Sequence, residues 1–139
     1  ERYMKLLEQN EFKLSGNLKV LPYLFDMPEY MAAADVVISR AGATTIAELS
    51  AVSTPSILIP SPNVSENHQE YNARSLERAG VSVLLPERHM SDTKIISMIQ
   101  EWLEHPAKLN KMKGKFTSLQ HEEAAELIVK DLNKAMTAR

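Results

Sequence analysis

The sequence predicts an α/β fold, a parallel sheet with helices on both faces, from three observations. Short runs rich in β-branched and apolar residues alternate with helical patterns along most of the chain. The clearest of these runs, DVVIS and PSILIP, are apolar almost without interruption, as strands buried on both faces are. The chain has 139 residues, 44% hydrophobic and 24% charged, which suits one globular domain.

The elements are expected in this order. Glu1–Gln9 reads as a charged amphipathic helix without a visible start. Asn17–Tyr23 (NLKVLPY) reads as a strand, Met27–Ala33 as a short helix and Asp35–Ser39 as a strand. Thr44–Ser50 is a helix and Pro55–Pro60 a buried strand. Gln69–Ala79 is a helix closed by Gly80, which suits the left-handed position after a helix end. Val81–Leu85 is a strand, and Ser91–Leu103 a helix with Ser91 as N-cap. Helical patterns over Ala107–Leu119 and Glu122–Met136 follow. In the second, Ala125, Leu127, Ile128 and Leu132 would cover the sheet or reach another domain.

Composition removes several function classes. With no cysteine there is no disulfide framework, cysteine metal site or thiol nucleophile. A net charge of −2 gives no basic footprint for nucleic acid. The longest apolar runs, Ser56–Pro60 and Val81–Pro86, are far too short to span a bilayer. His68 has no partner at metal-ligand spacing, and His89, His105 and His121 stand in unrelated contexts, so no metal is expected.

Ligands of parallel α/β sheets bind beyond the carboxyl ends of the strands. The residues after Tyr23, Ser39, Pro60 and Leu85 are therefore the places to look. SRAGATTIAE follows one strand and opens a helix. Its small residues and Gly42 allow a ligand close to the backbone, and the free N–H groups of a helix start suit a diphosphate. Glu48, about one turn into that helix, can accept from both hydroxyls of a ribose. Thr45-x-x-Glu48 equally fits a capping box, in which the glutamate only satisfies a backbone N–H. The long polar connection after PSILIP ends in His68, Gln69 and Asn72, whose amides suit sugar hydroxyls and also suit an ordinary surface loop. Leu24 or Phe25 could pack on a flat base, or both could be core.

These loops, in this order, resemble one family. NLKVLPYLFDMPEYMAAADVVISRAGATTIAELSA, then PSILIP, then NHQEYNARSLERAG is similar to the C-terminal domain of the MurG family of UDP-N-acetylglucosamine transferases, strongly over residues 17–85. The resemblance implies the C-terminal half of a GT-B glycosyltransferase with a Rossmann-like sheet. Residues 1–139 would be its UDP-sugar donor domain, truncated on the N-terminal side. It implies that Leu24 lies at the uracil and that Gly42, Ala43, Thr44 and Thr45 offer amides to the diphosphate and sugar. Glu48 would hold the ribose, Gln69 the N-acetylglucosamine hydroxyls, and Asn72 the loop or the phosphate side. Some members carry glutamine where this chain has His68.

The implied reaction is inverting transfer of N-acetylglucosamine from UDP to lipid I, giving lipid II for peptidoglycan, without a cofactor or an essential metal. The general base, the acceptor site and most of the peripheral membrane contact would belong to an N-terminal domain, so these residues alone are expected to be inactive. The implied place is the cytoplasmic face of the bacterial membrane. Two other readings share the donor-site features: another GT-B enzyme, such as a lipid glucosyltransferase, and a non-catalytic subunit that binds the nucleotide sugar.

Overall fold

A computed structural model describes residues 16–63, 67–119 and 124–137. The helix expected over Glu1–Gln9 lies outside the described residues, as do the side chains of Ala125, Leu127 and Ile128. Among the described residues the order is α1 (Met27–Ala33), β1 (Val37–Ser39), α2 (Ala43–Val52), β2 (Ser56–Leu58), α3 (His68–Ala79) and β3 (Ser82–Leu84). A 3₁₀ turn (Glu87–His89), α4 (Asp92–Glu104), α5 (Pro106–Lys115), a second 3₁₀ turn (Phe116–Leu119) and α6 (Ala124–Thr137) follow.

The three strands form one parallel sheet in the order β1-β2-β3. Val37 stands opposite Ser56 and Ser56 opposite Ser82; two residues on, Ser39, Leu58 and Leu84 share a row. Successive strand residues face opposite sides. Leu58 therefore packs with Leu49, Leu76, Val81 and Phe116, while its neighbour Ile57 packs with Leu85, Trp102, Leu109 and Met112. The first group brings in α2 and α3, the second α4 and α5, so helices cover both faces as the apolar runs require. Trp102 and Phe116 are fully buried. Burying a large side chain of this kind contributes about 1.5–3 kcal/mol each.

Local chemistry sets the helix ends. α3 closes in a Schellman motif: Gly80 N–H donates to the Glu77 carbonyl at 2.8 Å and Val81 N–H to that of Leu76 at 3.1 Å. Gly80 has φ +72°, where a side chain is strained. α2 closes on Ser53, left-handed at φ 56°, and Thr54 N–H donates to the Leu49 carbonyl. The Thr54 hydroxyl also donates to the Met31 carbonyl at 2.8 Å, tying α1 to the end of α2. Ser91 caps α4 as expected, its hydroxyl accepting from Lys94 N–H.

Three expectations are corrected. Asn17–Tyr23 is not a strand; the segment is irregular, and Leu18, Leu21 and Tyr23 are exposed. An apolar run is a strand only where its backbone groups find a sheet edge and its side chains a second layer, and Pro22 has no N–H to give. The helix expected over Ala107–Leu119 gives way to a 3₁₀ turn at Phe116, whose ring is buried. In α6, Leu132 is 58% exposed, so its side chain does not cover the sheet.

Candidate functional site

The carboxyl ends of β1 and β2 carry the residues singled out from the sequence. Helix α2 begins directly after the turn Arg40–Gly42, with Gly42 as N-cap. This overturns the capping-box reading. The N3 position, from which a carboxylate reaches back to the cap, falls on Thr45. Glu48 lies three residues deeper, half-buried, and makes no cap hydrogen bond. The Gly42 carbonyl accepts from Ile46 N–H at 3.0 Å. Among the described residues nothing accepts from the N–H groups of Ala43, Thr44 and Thr45. Free N–H groups at a helix start, with the helix dipole, suit an anion.

Gly42 has no conformational reason, within the described residues, to be glycine. Its φ is −66°, and an added Cβ would meet only the Thr45 hydroxyl, at 3.8 Å. The space over it is open.

Glu48 and Thr45 form one wall of a pocket of about 320 Å³. Met27, Tyr30 and Met31 of α1 form the other wall, and Ser39 closes the strand side. The volume lies in the range of small-ligand sites. Leu24 does not line it; Leu24 is half-buried ahead of α1, and its neighbour Phe25 is 88% exposed, stacked edge-on against Tyr23 at 4.8 Å.

Gln69 and Asn72 lie on the first turns of α3 and are tied to the other loops. Asn72 Nδ2 donates to the Ala41 carbonyl at 3.1 Å, fixing the turn before Gly42. Gln69 Oε1 accepts from Ser61 N–H at 2.9 Å, just beyond β2. His68 is the first residue of α3 and follows Asn67, which has φ 54°. The structure thus joins the turn at Ala41, the end of β2 and the start of α3, while Leu24 lies outside the pocket lining.

Two residues of this end were not singled out from the sequence. Arg40 donates to the carbonyls of Ile59 and Pro60 at 3.2 and 3.4 Å and pairs with Glu87 at 3.1 and 3.3 Å. The Arg40 hydrogen bond holds the Glu87 carboxyl below its usual range. Nothing in the spacing signals the pair, which is separated by 47 residues.

This end of the sheet defines the class: a parallel α/β domain whose strand ends meet helix starts, the place where ligands bind in such domains. The chain matches the glycosyltransferase family 28 C-terminal domain over residues 3–128 and belongs to that family. It is 41% identical over 138 residues to the UDP-N-acetylglucosamine--N-acetylmuramyl-(pentapeptide) pyrophosphoryl-undecaprenol N-acetylglucosamine transferase of Desulforamulus reducens, covering 98% of this chain and 37% of the relative. The like-named protein of Acetivibrio thermocellus is 46% identical over 127 residues, covering 89% of this chain and 34% of the relative. The chain therefore spans little more than a third of the length of these relatives. The crystal structure of Acinetobacter baumannii MurG matches with a TM-score of 0.75 at 24% identity, covering 91% of this chain and 37% of that one. That likeness supports the fold.

Proposed function

We propose that this chain is the donor-binding domain of an inverting glycosyltransferase that moves N-acetylglucosamine from UDP to lipid I, forming lipid II for peptidoglycan. The observation that carries the reading is the start of α2. Three amides without acceptors among the described residues follow an uncrowded glycine, and a half-buried carboxylate stands one turn further on, making no cap hydrogen bond. The relatives carry the name of that transferase.

In this reading the amides of Ala43, Thr44 and Thr45 take the diphosphate. As UDP departs, negative charge grows on the diphosphate, and fixed dipoles aimed at it stabilise the transition state. Glu48 accepts from the ribose hydroxyls and moves no proton. Gln69, its carbonyl held by Ser61, donates from its NH₂ group to a sugar hydroxyl. Asn72 holds the turn at Ala41 in place for the sugar and phosphate. Leu24 meets the uracil once its segment packs on the nucleotide, and His68 stands beside the sugar end. The undecaprenol tail in the relatives' acceptor would hold the reaction at a membrane, and the cytoplasmic face is part of this proposal.

Calorimetric titration with UDP, UDP-N-acetylglucosamine and UDP-glucose tests this. Glu48→Ala should weaken UDP binding by about tenfold or more, since hydrogen bonds to a charged group contribute about 1.5–3 kcal/mol. Equal affinity in the variant removes Glu48 from the site. Preference for UDP-glucose would point to a different sugar donor.

A further inference from the structure

The site residues are not independent, and Arg40 is where their supports meet. Its Nη1 donates to the Ile59 and Pro60 carbonyls and to Glu87 Oε2, and its Nη2 donates to Glu87 Oε1. The two nitrogens against two oxygens make a forked pairing, which fixes the guanidinium plane as well as its charge. Pro60 precedes Ser61, whose N–H holds Gln69. Arg40 precedes Ala41, whose carbonyl is held by Asn72. One guanidinium therefore fixes the distance between the helix start at Gly42 and the loop that aims Gln69.

Among the described residues Glu87 makes no hydrogen bond to Ala41, Ser61, Gln69 or Asn72. It stands on the 3₁₀ turn after β3, bonded to Arg40 alone among these residues. The pair is 51% and 39% exposed at its side chains, so its share in overall stability is small. Its effect is geometric: without the carboxylate, the guanidinium keeps its carbonyl acceptors but loses the partner that orients its plane.

We propose that Glu87 is a positioning residue that acts through Arg40 to set the sugar end of the donor site against its diphosphate end. This rests on the donor-site reading. It implies that Glu87 matters more for a nucleotide sugar than for the nucleotide, since UDP needs only the α2 side of the network. It also implies that lysine cannot replace Arg40, because an ammonium lacks the planar fork.

The test uses Glu87→Gln, Arg40→Met, Arg40→Lys and the Glu87→Gln/Arg40→Met double variant in the intact protein, with circular dichroism to verify folding. Two quantities are read: amide exchange at Ser61 without nucleotide, and affinity for UDP-N-acetylglucosamine relative to UDP. Glu87→Gln should speed Ser61 exchange and lower the affinity ratio, each by about two- to fivefold, the scale of an exposed ion pair. The double variant should match Arg40→Met, as expected of two residues acting as one unit, and Arg40→Lys should not restore the ratio. Unchanged Ser61 exchange in Glu87→Gln, or effects that add in the double variant, overturns the proposal. Should the unmodified protein bind neither ligand, the donor-site reading fails, and the Ser61 exchange still decides whether Glu87 orders the loop.

Discussion

Gly42→Ala separates a glycine needed by the fold from one needed by a ligand. The φ of −66° is ordinary for alanine, and the nearest atom to the new Cβ would be the Thr45 hydroxyl at 3.8 Å, a normal van der Waals contact. The fold should therefore not suffer. At a compatible backbone position Gly→Ala gains about 0.4–1 kcal/mol through the lost freedom of the unfolded chain, offset here by alanine's poorer fit as an N-cap, so that net stability should change by less than about 1 kcal/mol. Binding should suffer more. A diphosphate seated on the amides of Ala43–Thr45 would press on the added methyl and give up part of its charge-assisted hydrogen bonding. At about 1.5–3 kcal/mol for such bonds, UDP affinity should fall by roughly ten- to a hundredfold. Thermal unfolding and calorimetric titration of the same preparation give both numbers. A variant that is equally or more stable and binds UDP as well as the parent refutes the placement of the diphosphate at this turn.

Other consequences follow from the same contacts. Ser53 ends α2 in the left-handed region without being glycine. Ser53→Gly should raise unfolding free energy by about 0.5–1 kcal/mol, measured by denaturant titration, since glycine adopts that conformation without a Cβ penalty. The Glu87 carboxyl is held below its usual value of 4.5 by Arg40. A lowered folded value means that the pair's contribution is complete above the ordinary carboxylate range and is lost as pH falls through the lowered value. The melting difference between the parent and Glu87→Gln should therefore be constant near neutrality and shrink in acid, and a difference that grows in acid would contradict the pairing.

The sequence shows some of this molecule plainly and hides the rest for physical reasons. PSILIP and DVVIS read as strands because a doubly buried strand is apolar throughout, and both contribute strands at the expected places. The helix after SRAG was equally plain, since a small turn followed by good helix formers leaves few alternatives. Its first residue was not. Thr45 and Glu48 match a cap by type, and only the backbone shows that the cap is Gly42. NLKVLPY failed because strand formation belongs to the partner as much as to the run, and no partner reaches it among the described residues. The Arg40–Glu87 fork leaves no local pattern, because its members meet only after β1, β2 and β3 have aligned their carboxyl ends. Asn72 and Gln69 stand out by type as amides for a sugar, but their bonds to Ala41 and Ser61 arise only once the strand ends and α3 come together.

The central claim is that the start of α2 and its carboxylate receive a uridine diphosphate. A crystal structure with UDP-N-acetylglucosamine bound tests it most directly. Ribose hydroxyls should lie about 2.5–3.0 Å from the Glu48 carboxylate and diphosphate oxygens about 2.7–3.2 Å from the amides of Ala43–Thr45. A nucleotide seated elsewhere, with Glu48 turned back onto its own helix, would contradict it.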